Sequence, residues 1–364
     1  MMKITTGRVA SNPTVIGLVF IITPNSKSME TTKELRAQRG EARFNKRKGA
    51  WAGTSLSVKE GQEWDKKKEM DFTYTNLDQF IRLSLGENAH FSNALYNGDY
   101  TLSLEEAQLR KYRFVAEQLG IRKGSKVLDL GCGWGGWLKF LKDEAGAHGI
   151  GVNLSEGQVD ACRENGLEVY LQDARFVQPA DFGRFDAVTA FGSFEHVATV
   201  QDHLSGRQDL VYDDYFKHVF NLLPAGGRFY MQSMVFSKNM IPYERIDINA
   251  PKDSDAYILA LLTKHNPDSW LPYGHEHIIR VAEPYFKKVF YNSGRLDYVK
   301  TNREWTKLFY KFNLKKYLWF ASLIPRYLTD KEFRYQLSLL RVRPNRVCFE
   351  REIMDHARLV FEKK

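Results

Sequence analysis

The sequence predicts an α/β fold, a doubly wound Rossmann-like sheet with helices ahead of it and helical insertions over it. Three observations predict this. From residue 126 onward, short apolar segments alternate with helical patterns, the order that builds parallel strands joined by crossover helices. The first apolar segment ends in a glycine-rich turn, where ligands approach the backbone of such folds. The length of 364 residues accommodates one such core with additional helices.

Composition divides the chain into three predicted regions. A basic, flexible arm occupies residues 1–70, a helical cap residues 71–125, and the sheet core residues 126–364. Two long insertions interrupt the core, at residues 235–272 and 301–350. The first is interrupted by Pro242, Pro251 and Pro267 and the second is rich in aromatic residues, so together they predict a lid over a large apolar pocket.

Caps and apolar runs place the individual elements in order. Ser103, followed three residues later by Glu106, predicts a capping box at the start of an amphipathic cap helix. Ser155 predicts the N-cap of the helix after the second strand. The predicted strands lie at residues 127–130, 148–153, 167–172, 185–191, 226–234 and 358–363.

The turn after the first strand carries the prediction of ligand binding. Its glycines are Gly131, Gly133, Gly135 and Gly136. Bulky Trp134 at the helix entry disfavours a nicotinamide-binding turn, and the absence of a following Lys-Ser/Thr excludes a P-loop. An acid one residue before Leu-Gly-x-Gly is instead the pattern of class I S-adenosylmethionine (SAM) methyltransferases. Asp129 would then fix the turn, and the glycine backbone would face the methionine part of SAM.

Polar residues after the next two strands predict the rest of a cofactor site. A dinucleotide fold places an Asp or Glu at the end of the second strand to bind the ribose. Asn153 stands there in this chain, so Asn153 and Gln158 are predicted to bind the ribose together. Asp173 follows the third strand and is predicted to lie at the adenine edge.

The net charge of +9 is distributed unevenly along the chain. Residues 33–68 hold eleven Lys and Arg against five Asp and Glu, and residues 311–364 hold thirteen against six. Basic ends around a mildly acidic core favour contact with an anionic surface, either phospholipid or nucleic acid. A solvated arm explains residues 33–68 equally well.

Cysteine usage and the start of the chain bear on the cellular compartment. The three cysteines have no paired spacing, so neither a disulfide framework nor a metal site is predicted. Residues 14–22 are apolar, but nine residues fall short of the about 20 that a membrane span needs. No cleavage site follows them, which disfavours a signal peptide, and Met29 is an alternative initiator. We expect a cytoplasmic protein with peripheral contact at the inner face of the membrane.

With these motifs, the chain resembles the cyclopropane-fatty-acyl-phospholipid synthase and mycolic acid methyltransferase family. The resemblance runs from about Phe72 to the C-terminus and leaves residues 1–70 outside it. It rests on the segments Thr101–Gln108, Val127–Gly136, Phe194–Val197, Leu222–Gly227 and the Leu271-Pro272 element.

The resemblance implies a reaction and a set of site residues. In this family a cis-alkene of an acyl chain attacks the methyl group of SAM, and a bound bicarbonate removes a proton so that a cyclopropane closes. Other members leave a methyl branch. Glu195 and Tyr298 match the Glu and Tyr of the family's bicarbonate pocket. Asn93 replaces its Cys and Gln232 replaces its His, which puts bicarbonate binding, and with it cyclopropane closure, in question.

Three functions remain open at this point. The leading hypothesis is a SAM-dependent C-methyltransferase acting on an alkene of an unsaturated fatty acyl chain or similar apolar lipid. The substitutions at Asn93 and Gln232 favour an alternative, an O- or C-methyltransferase of a specialised metabolite. The basic ends suggest an RNA methyltransferase. However, Gly192–His196 stands where such enzymes usually carry Asn/Asp-Pro-Pro-Tyr/Phe, so we do not expect a nucleic-acid partner. The oligomeric state does not follow from the sequence.

Overall fold

The computed structural model describes residues 78–87, 89–265, 269–331, 333–334 and 343–364. The predicted arm, its charged residues at 33–68 and the alternative initiator Met29 lie outside the described residues. So do the first residues of the predicted helical cap and part of the second insertion.

Seven strands form one mixed sheet. They are β1 Lys126–Leu130, β2 His148–Asn153, β3 Glu168–Leu171, β4 Ala187–Phe191, β5 Arg228–Phe236, β6 Phe286–Ser293 and β7 Met354–Lys363. Their order across the sheet is β3-β2-β1-β4-β5-β7-β6. Neighbours among β1 to β5 pair in parallel, whereas β7 is antiparallel to both β5 and β6. The carboxyl ends of the five parallel strands therefore share one edge, where a ligand site is expected.

The parallel part of the sheet confirms the predicted α/β class. The first five strands were predicted with ends that differ from the observed ones by no more than two residues. The last strand was predicted too short, because it begins four residues earlier, at Met354. Strand β6 was not predicted at all. It is an edge strand in which Phe286 alone is fully buried, and exposed Lys287 and Lys288 interrupt its apolar pattern.

Helices flank the sheet and cover its ligand edge. They are α1 78–85, α2 Leu104–Gln118, α3 Gly136–Asp143, α4 Glu156–Glu164, α5 Pro179–Phe182, α6 Val200–Leu204, α7 Gln208–Leu222, α8 Asp255–His265, α9 Gly274–Ala282, α10 Arg295–Tyr310, α11 Leu314–Thr329 and α12 Arg343–Glu350. Within the described ranges, none of these helices has the length and hydropathy needed to cross a bilayer.

Both predicted helix caps are present. The hydroxyl of Ser103 accepts a hydrogen bond from the backbone of Glu106, whose carboxylate accepts one from the Ser103 backbone, so α2 begins with a capping box. Ser155 caps α4 by accepting a hydrogen bond from the backbone N–H of Gln158. These local contacts satisfy helix N–H groups that would otherwise lack a partner.

The two predicted insertions supply the helices around the ligand edge. Helix α8 lies within the first insertion, while α11 and α12 lie within the second. Helix α10 begins at Arg295, six residues before the predicted start of the second insertion. Together with α1 they enclose an apolar cluster rich in aromatic side chains, which includes Phe80, Trp134, Phe236, Trp270, Trp305 and Phe309.

Candidate active site

A cavity of about 120 Å³ opens at the glycine-rich turn after β1. Five of the predicted cofactor residues line it, namely Asp129, Gly131, Gly133, Asn153 and Gln158. Parallel strands β1 and β2 bring these residues to one edge of the sheet, as the predicted topology requires.

The glycines of the turn have different roles. Gly133 has a φ of +54°, and a Cβ added there would meet no protein atom within 4 Å, so its backbone faces open space. At Gly131 an added Cβ would lie 2.5 Å from the Cβ of Ser193, and at Gly136 it would lie 2.4 Å from Nδ1 of His90. Gly131 and Gly136 therefore allow close packing against Ser193 and His90, whereas the open backbone at Gly133 fits the methionine part of SAM.

Gly135 is not among the residues that line this cavity, although it was predicted to bind the cofactor. It has a φ of +77° at the N-cap of α3, and an added Cβ would lie 2.4 Å from the Leu167 side chain. This glycine is therefore needed for the sharp turn and for close packing against the chain before β3.

Polar groups at the cavity are held by contacts within the protein. Asp129 is buried and accepts a hydrogen bond of 2.8 Å from Oγ1 of Thr189. Burial raises its pKa to about 7. The Asn153 amide donates to Oε1 of Gln158 at 2.8 Å, so the two predicted ribose ligands form one fixed unit after β2.

Asp173 does not line either cavity, and its role at the adenine edge stays a prediction. It caps the short turn after β3, and its carboxylate pairs with Arg175, with Nη2 of Arg175 2.6 Å from Oδ2 of Asp173. The position after β3 was predicted correctly, but the neighbouring guanidinium holds the side chain.

A second cavity, of about 220 Å³, lies beside the first. Five residues line both cavities, namely Phe91, Ser92, Phe191, Gly192 and His196. The wall of the second cavity is largely apolar, with Leu259, Leu262 and Met240 among its residues. A ligand in one cavity therefore lies next to a ligand in the other, across a wall formed by residues after β4 and before α2.

All four predicted catalytic residues line the second cavity, and Glu195 is the one with a free carboxylate oxygen. Glu195 is 2% exposed, and its Oε1 accepts a hydrogen bond of 2.8 Å from the backbone N–H of Met234. Within the described part of the chain, buried Oε2 has no hydrogen-bond partner. Burial raises the pKa of this carboxyl to about 7.

The two amides that replace the family's Cys and His are occupied by protein partners. Nδ2 of Asn93 donates to the carbonyl oxygen of Gly294 at 3.0 Å. Gln232 accepts a hydrogen bond of 3.0 Å from the Tyr230 hydroxyl and donates to the Asn93 carbonyl oxygen at 3.4 Å. These contacts join β5, the segment before α2 and the start of α10.

Tyr298 brings an aromatic ring from α10 to the same cavity. It is 8% exposed, and its ring lies edge-on to Trp305, with centroids 6.0 Å apart. The rings of Phe349 and His356 lie 4.5 and 5.1 Å from it. Packing on three sides therefore fixes the orientation of Tyr298.

His356 is a cavity residue that the sequence did not reveal. It lies on β7, opposite Met234 of β5, and lines the same cavity as Glu195. Its Nδ1 is buried without a hydrogen-bond partner among the described residues. Burial, with Arg358 and Lys111 nearby, holds the pKa of the imidazole well below its usual value, so His356 is neutral. Only the pairing of β7 with β5 places it here, and no local motif marks it.

Lys111 and His90 are further polar residues near the shared wall that the motifs did not mark. Lys111 on α2 is fully buried, and its Nζ donates to Oγ of Ser92 at 2.6 Å. His90 lies 2.9 Å from the Tyr112 hydroxyl, and burial lowers its pKa to about 4. Lys111 also donates a hydrogen bond to Oε1 of Gln108. The two residues lie three positions apart on α2, and this helical spacing is the sequence signal that could have placed their side chains together.

Comparison with known proteins gives a consistent set of similarities. The family model described as mycolic acid cyclopropane synthetase matches residues 62–321. A hydroxymycolate synthase of Mycobacterium bovis is 29% identical over 250 residues, which cover 64% of this chain and 74% of that protein. The cyclopropane-fatty-acyl-phospholipid synthase of Escherichia coli K12 is 30% identical over 212 residues, or 57% of this chain and 48% of that protein. Among solved structures, mycolic acid cyclopropane synthase CmaA1 complexed with SAH and CTAB has a TM-score of 0.64 at 21% identity, covering 82% of this chain and 98% of that one.

Proposed function

The chain belongs to the mycolic acid cyclopropane synthetase family, and from that premise we propose that it methylates an alkene carbon of an unsaturated fatty acyl chain or a similar apolar lipid. It is a SAM-dependent methyltransferase. The observation that carries the choice of acceptor is the pair of adjoining cavities, one at the glycine turn and one largely apolar with a single buried carboxylate.

The residues of the first cavity fit SAM. The open backbone at Gly133 would hold its methionine part, and the joined amides of Asn153 and Gln158 would hold its ribose. Asp129 keeps the turn in place through its contact with Thr189. When bound, SAM supplies an electrophilic methyl group on sulfur.

The second cavity would position the alkene and exclude water. An alkene is a weak nucleophile, so the rate depends on alignment of the acceptor with the methyl group. Apolar walls hold an acyl chain without competing hydrogen bonds and keep water from the electron-deficient carbon that forms. The aromatic faces of Tyr298 and Trp305 also favour positive charge beside them.

Glu195 is the proposed proton acceptor. An alkene that gains a methyl group becomes positively charged at its other carbon, and a buried carboxylate nearby stabilises that charge. Oε2 of Glu195 has no partner in the described structure and is free to take a proton from the carbon skeleton. The occupied amides of Asn93 and Gln232 do not favour a bicarbonate site, which supports a methyl-branched product over a cyclopropane.

Variants of the site residues test this assignment. We expect Glu195→Gln to lose most methyl transfer and Tyr298→Phe to lose less, and added bicarbonate to make little difference. The measurement is transfer of labelled methyl to unsaturated lipid, with and without removal of carbon dioxide. If activity collapses without carbon dioxide and returns with bicarbonate, the amides still build the family's anion site and a cyclopropane becomes the expected product.

Lipid analysis tests the substrate class. Cells that express the protein are supplied with labelled methionine, and their lipids are examined by mass spectrometry. We expect an unsaturated chain to gain one labelled methylene unit. Label in a soluble metabolite and none in lipid would support the alternative acceptor, which the replacement of the family's Cys and His by Asn93 and Gln232 favours.

We also propose that the protein works at the cytoplasmic face of an anionic membrane. The net charge of +6 on residues 33–68 supports such contact, since anionic headgroups attract basic segments. The proposed acceptor, an acyl lipid, supports the same location.

A further inference from the structure

The outward side of α11 carries an apolar surface, defined here as the outer face: Leu314, Tyr317, Leu318, Ala321, Ile324, Pro325 and Leu328. We propose that this outer face docks on an anionic phospholipid bilayer, from which the protein takes the acyl chain it methylates. The second half of this statement rests on the proposed function, whereas the docking itself does not.

The exposure of the outer face is unusual for this protein. Sixteen large apolar side chains are exposed in the described residues, and eight of them lie between residues 310 and 328. Leu314 and Leu318 are each 63% exposed and Leu328 is 69% exposed. Neighbouring turns of the outer face contribute residues spaced three or four positions apart, which places the whole set on one side of the helix. A contiguous exposed patch of this kind marks an interaction site.

The opposite side of α11 is fixed by packing, so the outer face is held in its orientation. Lys316 is buried, and its Nζ donates to the carbonyl oxygen of Phe309 at 2.7 Å. The rings of Trp319 and Phe320 pack against Phe80, with centroids 6.1 and 5.6 Å away. The helix is therefore apolar on both sides, and among the described residues only its inner side is covered.

The basic residues around the outer face favour an anionic bilayer as its binding partner. Residues 306–329 contain five Lys and Arg and no Asp or Glu. Exposed Lys311 and Lys315 flank the outer face, where they would meet lipid headgroups. A second copy of this chain is disfavoured, because a symmetric contact would bring the same basic side chains together. The 16 residues of α11 are too few to span a bilayer but enough to lie in its interface.

Aromatic contacts connect α11 to the second cavity. Phe80, which packs on the inner side of α11, lies 5.1 Å from Phe309 of α10. One turn earlier on α10, Trp305 lines the cavity and stacks on Phe91 at 4.5 Å. The outer face thus lies one helix away from the aromatic wall of the proposed acyl site.

Vesicle binding by the full chain tests the docking. Cosedimentation uses vesicles of phosphatidylcholine alone or with added phosphatidylglycerol, together with two matched variants. Leu318→Glu places a charge on the outer face, and Leu210→Glu places one on α7, where the leucine is 65% exposed. We expect Leu318→Glu to weaken binding to anionic vesicles by on the order of tenfold or more, and Leu210→Glu to leave it unchanged. Equal melting temperatures confirm that both variants fold.

Charge reversal tests the anionic preference. Lys311→Glu with Lys315→Glu is expected to reduce binding at low salt, while Lys217→Glu on α7 is not. Native vesicle binding by Leu318→Glu, or an equal loss in both leucine variants, would overturn the proposal. So would a dimer in solution that Leu318→Glu dissociates while vesicle binding persists.

Detergent-dispersed lipid separates docking from chemistry. We expect Leu318→Glu to methylate dispersed lipid at the native rate and vesicle lipid more slowly. If the native protein binds anionic vesicles but methylates lipid in neither form, the docking stands and the proposed function fails.

Discussion

At the scale of single residues, burial of the Glu195 carboxylate lowers the stability of the folded protein at neutral pH. Its pKa of about 7 exceeds the ordinary value of 4.5 because the charged form is desolvated. Between these two pH values, the folded protein holds a proton that the unfolded chain has released. This group therefore makes the free energy of unfolding fall as the pH rises from about 4.5 to about 7.

We expect Glu195→Gln to raise the free energy of unfolding, relative to the native protein, more at pH 8 than at pH 5. The increase at pH 8 exceeds the increase at pH 5 by about 3 kcal/mol at most. Urea denaturation of both proteins at the two pH values measures it. Asp129 also has a raised pKa, but it is present in both proteins and cancels in the comparison. The same difference in stability at both pH values would contradict this expectation.

We expect Gly133→Val to abolish SAM binding, because its side chain would occupy the cavity. Gly206→Val is the matched control. Gly206 has a φ of +69°, and an added Cβ there also meets no protein atom within 4 Å. Both variants carry comparable backbone strain, but only Gly133 lines the cavity. Calorimetry with SAM distinguishes them, and normal binding by Gly133→Val would show that the site is misplaced.

Residues inside contiguous motifs were predictable, whereas residues placed by distant contacts were not. Asp129 lies near the end of β1 and the glycines lead from that strand into α3, and this local order sets their position. Asp173 was predicted at the end of β3 and lies there, but its pairing with Arg175 depends on side-chain geometry that a strand end does not reveal. His356 reaches the cavity only through the β5–β7 register.

At the scale of elements, one buried ion pair joins the parts of the fold that carry the second cavity. Nη2 of Arg358 on β7 lies 2.9 Å from Oδ2 of Asp297 at the start of α10, and both side chains are at most 6% exposed. Arg358 also donates to the carbonyl oxygen of Ala94 at 2.7 Å. Since Tyr298 follows Asp297 directly, this pair also positions Tyr298.

We expect Asp297→Asn to destabilise the protein by about 3–5 kcal/mol, because it leaves Arg358 buried without a counter-charge. Asp143→Asn is the control. It removes an exposed pair with Lys139 on α3 and is expected to change stability by less than about 1 kcal/mol. Denaturant unfolding measures both variants. A small effect at Asp297 would mean that water or a shift of Arg358 compensates the charge.

Four of the five strands that sequence periodicity predicted well, β1, β2, β4 and β5, lie in the interior of the sheet. They read as apolar runs because helices cover the sheet on both sides. Strand β6 lies at an edge and carries exposed lysines that interrupt its apolar pattern, so its sequence resembles a loop. Pairing with β7 stabilises it, and that pairing is invisible to a local pattern.

At the scale of the whole molecule, the predicted basic arm at residues 33–68 precedes both cavities in the sequence, since the described residues that line them lie between residues 89 and 356. We expect a protein that begins near Asp71 to keep its SAM affinity and to bind acidic vesicles less, above all at low salt. Calorimetry and cosedimentation measure the two properties. Equal vesicle binding with and without residues 1–70 would remove the membrane role of this arm.

The antiparallel position of β7 also determines when the protein can become active during synthesis. Strand β7 is the last of the seven to leave the ribosome, yet it lies between β5 and β6. The nascent chain therefore holds β6 without a partner until the final ten strand residues emerge. Met354 and His356, which line the second cavity, arrive with them, so the wall of this cavity is complete only after almost all of this chain has been translated. The residues of the glycine turn are synthesised long before the partners that close the neighbouring cavity.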